Sequence, residues 1–302
     1  MRKRDAVDDW KKCNLEPRFH KVRETYWGIF GEAVEDVYED QAQAGLAQKM
    51  AERQERFDQD PEKYGRVWEN QSFQNPLTIR VSTGRVHLAI DAGVAKKDQQ
   101  GRANEDRVVV IPATSSAGPT TLLGVDGFGM YIPERKSSDG ETAAEIIAAV
   151  VRENIPAGVR AEKIPFLASQ EMFEAALDYG GVVYSLAQIE GNRLRVFYAG
   201  DVRVMVVRDG EIVFQTEDQS NREAVLNSVE GRWPGNLTQV NFSLEVKDRV
   251  VIVDDGILNQ LLPEHYCQAS LVEYPAQVQL GVVRNWLIWL WKSLTLRSYF
   301  LG

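Results

Sequence analysis

Four stretches of this chain place carboxylates where they could do chemistry. TTLLGVDGFGM sets Asp126-Gly127 at the end of an apolar run, and VVIVDDGIL repeats the arrangement with Asp255-Gly256. GRANEDRVVV puts Asn104, Glu105 and Asp106 just ahead of an apolar run, and RVFYAGDVRV puts Gly200-Asp201 just after one. A single Asp-Gly is most often a turn. Two of them after apolar strands, with an acidic cluster upstream, point to side chains converging on one cleft. Mg2+ and Mn2+ take oxygen ligands, chiefly carboxylate, carbonyl and water. A carboxylate shared by two ions suits the activation of water against a phosphoryl group. A glycine beside it lets the backbone approach and offer its carbonyl.

Other chemistries find less support. His20, His87 and His265 lie far apart, and none stands in an HExxH motif. Cys13 and Cys267 form no CxxC, so neither a disulfide framework nor a structural zinc site is read here. No GxSxG or GxxxxGK(S/T) pattern occurs, which removes support from nucleophile-elbow hydrolases and P-loop nucleotide binders. The net charge of -9 argues against nucleic acid as a partner. The start, MRKRDAVDDW, lacks the apolar core of a secretory signal, so a reducing, cytoplasmic setting is expected.

The elements that must hold these residues follow from periodicity. At 302 residues and 44% hydrophobic, the chain suffices for one large domain or two small ones. Residues 1–75 form a helical N-terminal extension. Its stripe runs Phe19, Val22, Tyr26, Ile29, Phe30, Ala33, Val34, Val37, continues into AQKMAERQERF and breaks at Asp60-Pro61. Residues 76–273 alternate differently. LTIRVS and RVHLAIDAG flank a Thr-Gly turn, and RVVVIP and TTLLGVDG form a second pair. Two helices follow. One carries Ala143, Ile146, Ile147, Val150 and Val151, with Ser138 or Asp139 as N-cap, and the other runs from Phe166 to Leu177. VVYSLAQI, RLRVFYAG and RVMVVRDGEIVFQT then read as an antiparallel meander, SNREAVLNSVEG as a helix, and LTQVNFSLEV and DRVVIVDDG as further strands. Strands, a helical pair and strands again make an α+β protein. Residues 274–302 form a Trp-rich tail with Trp286, Trp289 and Trp291. Arg284 and Lys292 interrupt its apolar run, so it reads as a packing helix, with an interfacial membrane contact or a terminus that departs from its domain's usual ending as alternatives.

Taken in order, these motifs resemble the metal-dependent protein phosphatases of type 2C, the PPM family. NEDR (Asn104–Arg107), VDGFG (Val125–Gly129), GETAAE from Gly140, GGVVYSLAQI (Gly180–Ile189), AGDVR (Ala199–Arg203), RDGEI (Arg208–Ile212), EDQS (Glu217–Ser220) and VDDGIL (Val253–Leu258) match the family's signposts from about Leu77 to His265. No element is specific alone; their order and spacing are. The resemblance implies a four-layer α-β-β-α sandwich of two antiparallel sheets flanked by helices, with the metal cleft at one end. It implies two ions, Mn2+ or Mg2+. Asp126 would bridge them, the Gly127 carbonyl would bind one and Asp255 the other, while Glu105 and Asp106 would support the metals or their waters. Asp201 would orient the site from behind, and Arg102 would grip the substrate phosphate. The implied reaction is hydrolysis of phosphoserine or phosphothreonine in a phosphoprotein by metal-activated water.

The chain also departs from the pattern. The family closes its site with a late Asp-Asn pair, whereas the only acids after Asp255 are Glu264 and Glu273. GDSR has become GDVR, the GT strand carries Gly181-Val182, Arg102 is offset by one residue, and MYIPERKSSDG replaces the turn after VDG. Two readings stand: an active phosphatase, and a noncatalytic phosphatase-like module with an incomplete metal site.

Overall fold

Two antiparallel sheets lie face to face, and the alternation of apolar residues along their strands explains why. The computed structural model describes residues 32–68, 77–81, 84–89, 105–113, 118–129, 131–132, 137–177, 180–220, 227–254 and 287–291. The stripe residues Phe19 to Phe30 lie outside the described residues. Helix α1 spans Glu32–Gln59 and stops before Asp60-Pro61, where Asp60 caps the single turn α2 (Pro61–Tyr64), its Oδ1 accepting from Lys63 N at 3.1 Å.

The larger sheet holds β1 (Arg66–Trp68), β4 (Asp106–Ile111), β5 (Thr120–Phe128), β8 (Gly181–Glu190), β9 (Arg193–Ala199) and β13 (Thr238–Ser243) in that order, with β12 (Val229–Glu230) also pairing β8. The second sheet runs β11 (Glu211–Gln215), β10 (Arg203–Arg208), β14 (Arg249–Val253), β15 (Leu287–Trp291), β3 (Gly84–Ala89), β2 (Leu77–Val81). A small hairpin pairs β6 (Tyr131–Ile132) with β7 (Ser137–Ser138) and leads into helix α3 (Asp139–Asn154), which is followed by α4 (Ile164–Glu174).

Successive strand residues face opposite sides of a sheet, and the core divides accordingly. Val109, Leu123, Val125, Val182, Tyr184 and Leu186 pack under α3 and α4 with Ile146, Ile147 and Val150. Val108, Val110, Leu122, Val183, Ala187, Val204, Val206, Val250 and Ile252 pack between the sheets. The helical spacing read at Ala143, Ile146, Ile147, Val150 and Val151 is therefore the α3 core face, since all five are fully buried.

Helix α1 lies on this helical layer. Arg53, only 5% exposed at its side chain, donates to Glu171 of α4 at 2.6 Å and to Glu153 of α3 at 2.7 Å. The Arg152 guanidinium of α3 stacks 4.1 Å from the Phe57 ring and donates to the carbonyls of Tyr64 and Gly65.

Three details differ from the periodicity reading. The expected meander is split, because β9 belongs to one sheet and β10 to the other; the chain crosses at Gly200, whose φ of 94° only glycine adopts readily. Within SNREAVLNSVEG, the described part contains the strand β12, and residues 221–226 lie outside the described residues. LIWLW of the Trp-rich tail is strand β15, set between β14 and β3. Among the described residues, no helix is long and apolar enough to cross a membrane.

Candidate metal centre

Asp126 is not at a turn. Strand β5 continues through Gly127 to Phe128, paired with β8 to Gly181, so the Asp-Gly step lies inside a ladder. Asp106 is its direct partner across the β4–β5 ladder. Asp106 shares the face of Val108 and Val110, and Asp126 that of Leu122, so both carboxylates belong to the face between the sheets. Asp106 is fully buried and Asp126 partly so. Like charges directly opposite in a ladder destabilise it, and burying a charge is costly without compensation. A divalent cation is a group that would offset both. The donors are all oxygen, which suits Mg2+ or Mn2+ over softer metals.

Glycines let a helix start close on this ladder. A Cβ at Gly127 would lie 2.3 Å from the Gly140 carbonyl oxygen, and one at Gly180 would lie 2.4 Å from Asp139 Cβ. The first turn of α3 therefore sits against the end of β5, and Gly127 is required by this packing as well as by any approach to an ion. Gly127 N donates to the Glu105 carbonyl at 3.1 Å, tying the NED segment to the same spot. The Glu105 carboxylate accepts from Ser138 Oγ at 2.5 Å, and Ser138 caps α3 by accepting from Glu141 N at 3.0 Å. Arg107 serves the other face of β4: buried, it donates to the Asp106 carbonyl at 2.9 Å and to Glu145 of α3 at 3.1 Å.

The strand registers bring two more acids to the same end. Ala199, last in β9, pairs with Tyr184, so the Gly200–Asp201 crossover leaves the larger sheet at the end that holds Asp126. Arg203, first in β10, pairs with Val253, last in β14, which places Asp254 beside that crossover. Asp254 is fully buried and stands two residues beyond Ile252, on the spacing that faces the other sheet. Sequence reasoning picked its neighbour in VDDG and passed over Asp254; counting by twos from Val250 would have singled it out. The crossover is firmly held. Ser185 Oγ donates to the Val202 carbonyl at 2.6 Å, and Gly200 N donates to Gln219 Oε1 at 3.0 Å. Gln219 Oε1 also accepts from Asn227 at 2.7 Å, so EDQS buttresses GDVR. Asp218 bonds Arg203, and although burial acts to raise its pKa, the Ser220 hydrogen bonds and the Arg203 guanidinium hold it below the usual carboxylate range.

Asp255 and Arg102 lie outside the described residues. Among the described residues, no three acid, histidine or cysteine side chains close around one point. Of the predicted set, the structure pairs Asp106 with Asp126 across the ladder, ties Gly127 to Glu105 through the backbone and sets Asp201 at the same end.

No family model matches the chain, and no curated protein matches it. Solved structures do. The serine/threonine phosphatase PstP/Ppp of Mycobacterium tuberculosis superposes with a TM-score of 0.53 at 19% identity, covering 72% of this chain and 99% of that one. The S. agalactiae serine/threonine phosphatase gives 0.53 at 17%, covering 69% and 98%. The catalytic domain of PstP in complex with two manganese ions gives 0.53 at 18%, covering 69% and 97%. The chain has the α+β fold of the type 2C serine/threonine phosphatases, as its ordered motifs imply.

Proposed function

We propose that this protein is a divalent-metal-dependent phosphatase acting on phosphoserine or phosphothreonine in a protein substrate. The observation that carries this reading is the facing pair Asp106 and Asp126, one fully buried, at the end of the sandwich where the crossover also sets Asp201. The two manganese ions of the PstP catalytic domain support a similar metal complement here. Asp126 and the Gly127 carbonyl would hold Mn2+ or Mg2+ with Asp255, and Glu105 and Asp106 would back them. The ions would supply the charge that activates water and offsets the phosphoryl group. Arg102 would hold the substrate phosphate through paired N–H donors. Residues 76–273 with strands β1 and β15 make up the phosphatase-like unit, and the chain before β1 is a helical extension from it.

A noncatalytic module remains the second reading, and one observation favours it. Strand β15 enters the second sheet at the acidic end, Leu287 pairing with Val253, yet the residues leading into it are Arg284, Asn285 and Trp286, with no acid among them. One assay separates the two: hydrolysis of a phosphothreonine peptide with Mn2+, with Mg2+ and with chelator. Turnover that requires metal is expected. Folded protein with no turnover in any condition would move the assignment to the noncatalytic module.

A further inference from the structure

Helix α1 holds to the rest of the protein mainly through charge. Between Gln41 and Arg56 the buried side chain is Arg53, and the apolar side chain packed against the core under α3 and α4 is the partly buried Leu46. Lys49, Arg53 and Arg56 follow at steps of four and three residues, so they share one face of the helix. Opposite them stand Glu153 in the last turn of α3 and Glu171 and Glu174 at the end of α4. Lys49 Nζ lies 3.3 Å from Glu171 and 3.9 Å from Glu174. Arg53 meets Glu171 at 2.6 Å and Glu153 at 2.7 Å, and Arg56 meets Glu153 at 2.9 Å. Gln43 Nε2 adds a hydrogen bond to the Ala175 carbonyl at 2.7 Å. The Lys49 and Arg56 side chains are 43% and 52% exposed, so dissolved salt reaches their pairs.

The helix is also equipped to persist without that support. Gln48 donates to Glu52 at 2.9 Å and Gln54 to Asp58 at 2.7 Å, both within α1 on its exposed side. AQAGLAQKMAERQERF is rich in good helix formers, and 28 residues exceed the length at which an isolated helix is marginal. The C-terminal end of α1 is anchored separately. Phe57, 2% exposed, stacks 4.1 Å from the Arg152 guanidinium and tilts against Tyr64 at 5.3 Å. Just beyond, Asp60-Pro61 interrupts the helix, and β1 then joins β4 in the larger sheet. The sheet is thus tied to the Phe57 anchor and not to the ion pairs further up α1. We propose that α1 is a detachable arm. It docks on α3 and α4 through the Lys49–Arg53–Arg56 face, and its release as an intact helix about the Phe57 anchor bares the acidic surface of Glu153, Glu171 and Glu174. The arm goes beyond the phosphatase reading and stands whether or not the metal centre turns over substrate. Ionic strength sets its docked fraction, because salt weakens the exposed pairs.

The experiment is a distance measurement by pulsed electron spin resonance in the full chain. Spin labels are placed on Gln41→Cys of α1 and Gln170→Cys of α4, both exposed positions, with Cys13 and Cys267 changed to Ser. Distances are taken at about 0.05 M and about 1 M NaCl, and helix content is followed by circular dichroism. A single short distance is expected at low salt. Longer distances should gain population at high salt while the dichroism stays constant. Arg53→Ala breaks the buried pairing and should shift the docking equilibrium roughly 100-fold, so that longer distances dominate already at low salt. Should that variant not fold, Lys49→Glu with Arg56→Glu, at two half-exposed positions, makes the same test. A distance unchanged by salt and by these substitutions would overturn the proposal. Longer distances that come with loss of helix signal would overturn it too, since α1 would then be unfolding and not leaving intact.

Discussion

At the scale of single residues, the site end of the sandwich is built from groups that are unfavourable there alone. Asp106 and Asp126 face each other across a ladder. Mn2+ should raise the stability of the wild type more than that of Asp106→Asn, because ligand binding stabilises only the protein that binds it. Chemical unfolding with and without metal reads both gains; an equal gain in the two proteins would mean that Asp106 takes no part in binding the ion. Gly127 is constrained differently. Its missing side chain makes room for the Gly140 carbonyl, 2.3 Å from where a Cβ would sit. Gly127→Ala must push the start of α3 away, at a cost of about 1–3 kcal/mol, typical of overpacking. A denaturant midpoint unchanged from the wild type would show that the helix start yields freely.

At the scale of elements, α3 joins two structures at its two ends. Its first turn presses on β5 at the candidate site, and its last turn is gripped by α1 through Arg53, Glu153 and Arg152. Arg53→Ala leaves Glu153 and Glu171 partly buried beside each other, and should destabilise the protein by about 3 kcal/mol. The pairing also sets a pH dependence. Burial acts to raise the Glu153 pKa, but Arg53 and Arg56 together bring it below its ordinary value of 4.5. A carboxylate lowered in the folded state contributes stability that is complete above that ordinary value and is lost as pH falls through the native one. Acid unfolding curves of wild type and Arg53→Ala should therefore draw together as pH falls below the ordinary value of 4.5 and through the lowered native one; a constant gap down to lower pH would show that the guanidinium acts by packing alone. These elements differ in how legible they were. The α3 face, the β4–β5 pair and the α1 break at Asp60-Pro61 could be read because periodicity and turn chemistry are local signals. LIWLW could not be recognised as a strand, because a short unbroken apolar run has no period to distinguish strand from helix. Its partners, β3 and β14, are set by contacts between distant parts of the chain. The split of the meander at Gly200 was hidden for a related reason: a glycine after a strand marks a bend without saying which sheet comes next. At the candidate site, motif order singled out Asp126, Gly127, Asp106 and Glu105, and the ladder sets Asp126 opposite Asp106. The Ser138 bond to Glu105 was not, because a cap residue declares its bond to the helix and not a second one across space.

At the scale of the whole molecule, closure of the second sheet depends on the end of the chain. Among the described residues, the hairpin β2–β3 pairs with the rest of that sheet only through β15. A chain ended at Trp286 should leave the hairpin without a neighbour, and two strands alone are marginally stable in water. Amide exchange over residues 77–81 and 84–89 is expected to rise to near the unprotected rate in that truncation, while β4, β5 and β8 remain protected; full protection of the hairpin would place its support elsewhere. The same architecture gathers Asp106, Asp126, Asp201 and Asp254 at one end from four separate segments. Turnover of a phosphothreonine peptide with Mn2+ by Asp126→Asn, beside the wild type and with melting curves for both, probes that convergence at its centre. Metal-dependent hydrolysis by the wild type that falls at least 100-fold in a fully folded variant is the expected result, in line with the loss of a group that fixes the reacting charge. Hydrolysis retained at the wild-type rate in Asp126→Asn would show that the facing carboxylates are not the catalytic centre.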